Sequence, residues 1–261
     1  MELVLTEKIP HRRRREFLAE LEARLRDISS GLNVNVEMKG LTESRMPRIQ
    51  VSGEDEEAFT EVLRHSLGIA PREYAEALRM PVLRGFVQKP SSQDDALLID
   101  VGFRPSSPFQ VVLRAERLRA QLFNGHDVPL RRMVERYGFF EDFPVELRIV
   151  STDEDSRQTY VELSDRQWST LVEWDRIPLD RIIAQDVLEP EVRREIRRIN
   201  IERDLAAVES LSLGTHCLIC KLGTNGRGLI PKLGPHLKAR LFVFHPSSRS
   251  KGEPLKRNLS K

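Results

Sequence analysis

The chain has 261 residues, 31% of them charged and 39% hydrophobic, with 42 Lys and Arg against 40 Asp and Glu for a net charge of +2. Such a length accommodates about two or three small domains with proper cores, and the near balance of charge excludes a bulk polycation, so a nucleic-acid site has to come from local clustering. No run of about 18 apolar residues is present to form a membrane helix, MELVLTEKIPHRRRR lacks the order of a secretory signal, and the two cysteines, Cys217 and Cys220, fit a cytoplasmic protein rather than a disulfide scaffold.

Glu2 to Thr6 reads as a short strand. Phe17, Leu18, Leu21, Leu25 and Ile28 fall on one helical face, with Gly31 placed to end that helix. Val34, Val36 and Met38 alternate, as do Ile49 and Val51, the period of half-buried strands. Ser52 and Asp55, followed by Phe59, Val62, Leu63 and Leu67, mark a capped second helix. Residues 1–80 therefore read as an α+β N-terminal domain, ferredoxin-like or related. It has neither the G-x-x-G of a KH domain nor the strand aromatics of an RRM. Pro71 to Pro81 is a linker or a short helix.

Residues 81–176 read as a β-barrel. Leu83 to Val87, Ala96 to Val101 and Phe109 to Leu113 are strands, and Ala115 to Tyr137 is helical with a break at Asn124-Gly125. The stretch from Phe143 to Asp165 is an alternating hairpin, with Val145, Leu147 and Ile149 on one face and an acidic turn closing on Arg157. Five strands with a helical segment between the third and fourth is the order of an OB-type barrel.

In the C-terminal α+β unit, residues 177–245, Glu189 to Leu211 reads as one long amphipathic helix with Pro190 near its start and Gly214 ending it. His216 to Leu222 and Ala239 to Phe244 are strands, and residues 246–261 form a disordered basic tail. No internal repeat is visible.

The order GFV, ALLIDVG, FPVELRIVSTDEDSRQTYVELS resembles the OB-type RNA-binding repeat of ribosomal protein S-one over roughly Val82 to Asp165. That resemblance implies single-stranded RNA binding, with Asp153 and Arg157 at the RNA face. The repeat's two stacking aromatics fall at about Asp95 and Leu98 here, and its third-strand histidine is replaced within VVLR. Stacking contributes about 1–3 kcal/mol per base, so their absence weakens single-strand binding unless Phe86, Phe103 or Phe109 substitutes. The whole chain also resembles a conserved archaeal family of unknown function (domain of unknown function 2110). The likeness lies in the barrel and in the C-terminal CKLGT…GLIPKLG segment, and it brings no catalytic residues.

Each remaining cluster has a plain reading beside a functional one. Arg12 to Arg15 put four cations in a first helical turn, where each is disfavoured by about 0.3–1 kcal/mol. Phosphate contact and compensation by Glu16, Glu20 and Glu22 are both open. Arg193, Arg194, Arg197 and Arg198 repeat the pattern, with a solvated face as the alternative to an RNA contact. GTNGRGLIPKLGPHLK is either an anion cradle built from free amides or a strand-to-helix turn. Cys217 and Cys220 are three apart in an apolar strand, hence on opposite faces, and read as buried thiols.

The chain thus reads as a non-catalytic cytoplasmic protein that binds RNA, or a ribonucleoprotein complex, as an accessory factor in translation or RNA metabolism. It needs no cofactor, metal or membrane. The RNA-binding set is Arg84, Phe86, Lys89, Arg104, Arg114, Asp153, Arg157, Arg193, Arg194 and Arg197; the candidate anion loop is Gly223, Asn225, Gly226, Arg227, Gly228 and Lys232. The alternative is a protein-docking module of a ribosome or transcription complex without RNA affinity. A third reading is an enzyme that uses the 223–228 loop as a phosphate cradle.

Overall fold

The stripe Phe17, Leu21 and Leu25 decides how the N-terminal unit closes, because these three side chains need one continuous apolar face to cover. The computed structural model, which describes residues 1–90, 95–102 and 109–246, supplies that face from β1 (Glu2–Val4), β2 (Val34–Leu41) and β3 (Pro47–Gly53), with α1 (Arg14–Ser29) and α2 (Glu56–Ser66) packed on it. The sheet runs β1-β3-β2, all antiparallel. The stripe meets Ile49 and Val51 of the sheet and Phe59 and Leu63 of α2. Beyond α2 the chain returns beside β1. Thr6 N donates to Gly68 O at 3.1 Å, Ala70 N donates to Val4 O at 2.8 Å, and Leu5 and Ile69 form an antiparallel bridge. This is the order of a ferredoxin-like β-α-β-β-α-β unit with its last strand reduced to one bridge.

A short α3 (Tyr74–Ala77) leads into β4 (Leu83–Val87), β5 (Ala96–Asp100) and β6 (Gln110–Arg114). Then come α4 (Ala115–Leu122), α5 (Leu130–Tyr137), β7 (Pro144–Asp153) and β8 (Gln158–Leu163). The five strands close into a barrel in the order β4-β5-β6-β8-β7. Only β6 and β8 are parallel. Alternate residues such as Leu97, Ile99, Val111, Leu113, Val145, Leu147, Val161 and Leu163 fill its interior. Gly85 lies where β4 passes closest to β5. A Cβ there would sit 2.7 Å from Asp100 O and 2.8 Å from Ile99 Cγ2, closer than carbon tolerates.

The rest of the chain comprises α6 (Asp165–Arg176), β9 (Arg181–Gln185), α7 (Glu189–Arg198), β10 (Leu205–Ser212), β11 (Thr215–Cys220), α8 (Gly226–Leu233) and β12 (Arg240–Phe244). The last six of these form an antiparallel sheet ordered β10-β11-β9-β12 under α7 and α8, a complete β-α-β-β-α-β unit of the same strand order. Two ferredoxin-like units therefore flank the barrel, although no sequence repeat announces them.

Here the structure corrects the sequence reading. The helix expected from Glu189 to Leu211 stops at Arg198, and Leu205–Ser212 is the edge strand β10. Asn200 takes a left-handed φ of 57° and turns the chain. The strand β9 and the helix α6, which Ser164 caps by accepting from Gln167 N at 3.1 Å, have no counterpart in that reading. The C-terminal sheet turns Ile182, Ala184, Leu218 and Cys220 toward its helices. Its other face gives Ile183, Cys217 and Phe244 to the barrel's own core, beside Tyr137, Phe139 and Trp174. The two thiols lie in different cores, and burial pushes the Cys217 thiol up.

Charges join the three units where they meet. Lys8 reaches Asp100 at 2.5 Å. Asp142, held at φ 64°, accepts from Arg45 at 2.6 Å and faces Arg240 at 3.6 Å, while Arg240 pairs with Asp186 at 2.7 Å. Glu7, 5% exposed, accepts from Leu213 N at 2.8 Å. Burial raises its carboxyl from the usual 4.5 to about 7, against the opposing pull of that hydrogen bond and of Arg24 and Arg84.

Substituting Gly85→Ala is expected to cost about 1–3 kcal/mol through overpacking, read as a lowered urea midpoint with unchanged slope. The raised Glu7 pKa means that the folded chain keeps a proton which the unfolded chain releases. Its contribution is therefore complete below pH 4.5 and is lost as pH rises through about 7. Glu7→Gln should remove that decline, so that the variant gains on the wild type by an amount of order 3 kcal/mol between pH 4.5 and 8, measured by urea unfolding across that range.

Candidate nucleic-acid interface

The outer face of β5, β6 and β8 follows from the alternation that fills the barrel. With Leu97, Ile99, Val111, Leu113, Thr159 and Val161 turned inward, Leu98, Val112 and Tyr160 point outward. Register makes them direct neighbours, Leu98 opposite Val112 and Val112 opposite Tyr160. They form an apolar row across three strands, with Val112 at its covered centre, 5% exposed. Arg114 lies one outward position along β6 and stacks its guanidinium over the Tyr160 ring, 3.8 Å from the centroid. The Tyr160 hydroxyl donates to Gln158 Oε1 at 2.7 Å. A cation held flat on an aromatic ring is itself a surface for stacking and for phosphate.

The β7–β8 turn borders this face. Asp153 Oδ1 accepts from Asp155 N at 3.1 Å and Ser156 N at 3.2 Å. Ser156, through its side chain and its amide, holds the Asp153 carboxyl below its usual range, and the charge of Arg114 adds to the effect. Arg157 adopts φ 53°, and its carbonyl accepts from Gln110 N at 3.0 Å, which ties the turn to β6. Asp153 and Arg157 thus shape the hairpin, while the exposed Arg157 side chain adds a cation at its rim.

The other expected residues are placed differently. Lys89 is exposed just beyond β4. Arg84 sits in the seam with the N-terminal unit, donating to His65 O at 3.3 and 3.4 Å and facing Glu146 at 3.7 Å. Phe86 is 2% exposed, with the Lys8 ammonium 5.9 Å from its ring centroid, so it offers no stacking surface. Phe109 is stacked by Tyr74 of α3, with centroids 3.6 Å apart and planes at 4°. Arg104 and Phe103 lie outside the described residues. Arg193, Arg194 and Arg197 project from α7, away from the barrel strands.

The glycine-rich segment, read as an anion cradle or a strand-to-helix turn, leads from β11 into α8. Gly223 turns the chain at φ 88°, and three amides of the candidate loop are already bonded within the chain. Gly226 N donates to Asp180 Oδ2 at 2.8 Å, Arg227 N to Asn225 Oδ1 at 3.0 Å and Gly228 N to Asn225 O at 3.0 Å. Asn225 is an N-cap, and Lys232 lies in the last turn of α8. Among the described residues no group of three or more metal-ligating side chains gathers, and no helix is long and apolar enough to cross a membrane.

Tyr160 is the residue that sequence reasoning undervalues. Its outward phase is readable from the alternation with Val161, but its partner Arg114 lies 46 positions away and is found only through the parallel β6–β8 pairing.

The barrel and the sheet behind it match family models, the DUF2110 central domain over residues 81–175 and the DUF2110 C-terminal domain over 179–244. The chain belongs to the DUF2110 family. No curated protein matches it. Among solved structures it is similar to GSP13 from Bacillus subtilis, at 11% identity and TM-score 0.20, with 33% of this chain and 55% of that one covered. It is also similar to a multidomain protein with nucleic acid binding domains from Streptococcus pneumoniae TIGR4, at 10% identity and TM-score 0.21, with 76% and 48% covered. The chain spans about half the length of each, and at these scores neither likeness carries an argument about what it binds.

Asp153→Ala should speed amide exchange at Asp155 and Ser156 several-fold while leaving the β8 amides unchanged. Equal acceleration along β8 would show that the hairpin does not depend on this carboxylate.

Proposed function

We propose that this protein is a non-catalytic nucleic-acid-binding factor that holds single-stranded RNA on the outer face of β5, β6 and β8. The observation that carries the reading is the Arg114 guanidinium stacked on Tyr160 at the end of an apolar row. A base laid on the Arg114–Tyr160 pair at the end of that row gains stacking and loses little, since the two side chains are already ordered against each other. Arg114, Arg157 and Lys89 bring positive charge to the strand's phosphates. The absence of aromatics at Asp95 and Leu98 is partly offset by Tyr160, which reaches the same face from β8. The role we propose with it is that of an accessory factor in translation or RNA metabolism, in the cytoplasm.

The second reading is a protein-docking module, favoured by the apolar character of the Leu98–Val112–Tyr160 row, which suits a hydrophobic anchor as well as a base. Fluorescence anisotropy with a labelled single-stranded RNA separates the two. The RNA reading expects Tyr160→Ala to weaken binding about fivefold to a hundredfold, the loss of one stacked base. It also expects affinity to fall steeply between about 50 and 200 mM salt. Wild-type affinity in Tyr160→Ala, or no binding by the wild type, would sink it; a protein partner retained after nuclease treatment and lost with Tyr160→Ala would favour docking.

A further inference from the structure

The first helices of the two ferredoxin-like units, α1 and α7, face each other across a groove. One depression in it, about 830 Å³, is lined by Glu20 and Arg24 of α1 and by Glu189, Pro190, Arg193, Arg194, Arg197 and Arg198 around α7. Five guanidinium groups face two carboxylates, and Pro190 is the single uncharged residue in that lining. A second depression shares Glu20, Pro190 and Arg194 with the first. A third shares Arg13, Glu16 and Lys238 with the second. The groove therefore continues along α1 back to Arg12 and Arg13, but the second depression sets Glu16, Glu20, Glu191 and Glu195 against Arg13, Arg194 and Lys238, so the excess of positive charge is concentrated in the first depression, at α7.

We infer that this groove is a second track for the phosphodiester backbone of a single-stranded nucleic acid, separate from the barrel face. The plain reading is that the arginines are neutralised within the chain. Arg193 meets Glu189 at 2.7 Å, Arg24 meets Glu20 at 3.1 Å, and Arg194 and Arg198 share the one carboxylate of Glu195 at 3.1 and 2.6 Å. Arg197 has Glu202 at 3.6 Å. The tips of Arg193 and Arg198 are engaged further, Arg193 Nη2 with Val208 O at 3.4 Å and Arg198 Nη2 with His236 Nδ1 at 2.6 Å, whereas Arg194 and Arg197 make their contacts through Nε. A guanidinium carries five N–H donors, so donors remain at those two exposed tips. Glu195 cannot balance two arginines, and a net positive charge stays along the helix. Arg193 and Arg197, like Arg194 and Arg198, stand four residues apart, or ~6 Å along the axis, a spacing that successive phosphates of an extended strand can follow. An acidic protein partner fits less well, because stable protein interfaces need an apolar anchor and this lining offers only Pro190. Phosphates need only donors and charge.

The inference rests on the nucleic-acid reading above and adds a contact that the barrel does not make. The test uses the full chain and labelled single-stranded oligonucleotides of graded length, comparing the wild type, Arg194→Gln/Arg197→Gln and Tyr160→Ala, each checked for fold by circular dichroism. The groove variant should reduce the slope of log affinity against log salt by about 1.4, near 0.7 for each phosphate no longer neutralised, and only for the longer oligonucleotides. Tyr160→Ala should lower affinity at every length with the slope kept. An unchanged slope in the groove variant overturns the groove while leaving the barrel reading intact. A reduced slope with no effect of Tyr160→Ala upholds the groove and removes the barrel. Equal competition by polyglutamate of matched charge overturns it in favour of an acidic protein.

Discussion

One carboxylate, Asp142, stands where all three units meet. It sits in a left-handed turn of the barrel and faces Arg45 of the N-terminal unit and Arg240 of the C-terminal unit. A largely buried ion pair returns little net stability, because desolvation offsets most of the attraction, but removing one partner strands the other and is costly. The contribution of such a junction is therefore geometric. Together with the core that the barrel shares with the C-terminal sheet, it favours this relative placement of the units, and Lys8 with Asp100 repeats the device a few ångströms away. The barrel face and the groove between α1 and α7 both have definite shapes only because this placement is fixed.

That placement gives the duplicated topology a purpose. Each ferredoxin-like unit turns one face of its sheet to two helices. The C-terminal sheet commits its second face to the barrel's core, so its outward surfaces are mainly helical, and the first helix of each unit carries arginines. On α7 the arginines Arg197 and Arg198 occupy the last turn, where the helix dipole welcomes cations. The charge that looks costly in a longer helix is thus compatible with a stable shorter one.

Much of the fold is legible in the sequence where one face of an element is buried and the other wet. β7 and β8 show this, since Val145, Leu147 and Val161 alternate with Glu146, Arg148 and Glu162. β9 is buried on both faces, so Arg181–Gln185 offers no alternation to read. The misread helix has a different cause. Leu205 and Val208 happen to continue the 3.6-residue period of Val192, Ile196 and Ile199, and only the turn at Asn200 and pairing with β11 decide against it. The candidate site is legible in part for the same reason. Outward phase can be read for Tyr160, Arg114 and Leu98 one by one, whereas their meeting depends on a parallel pairing that no local pattern encodes. Phe86 fails in the opposite sense: its phase is outward from the barrel, but another unit covers it.

The core that the barrel shares with Ile183, Cys217 and Phe244 has a bearing on how this family is divided. The family models part between residues 175 and 179, yet that cut runs through a single hydrophobic interior in which Tyr137 and Trp174, before the cut, each meet the Phe244 ring, after it, with centroids 5.7 Å apart. Sequence segmentation and physical cohesion disagree here. Removing either segment would expose to water the apolar side chains that the other now covers. The two segments cohere by packing rather than through a linker alone.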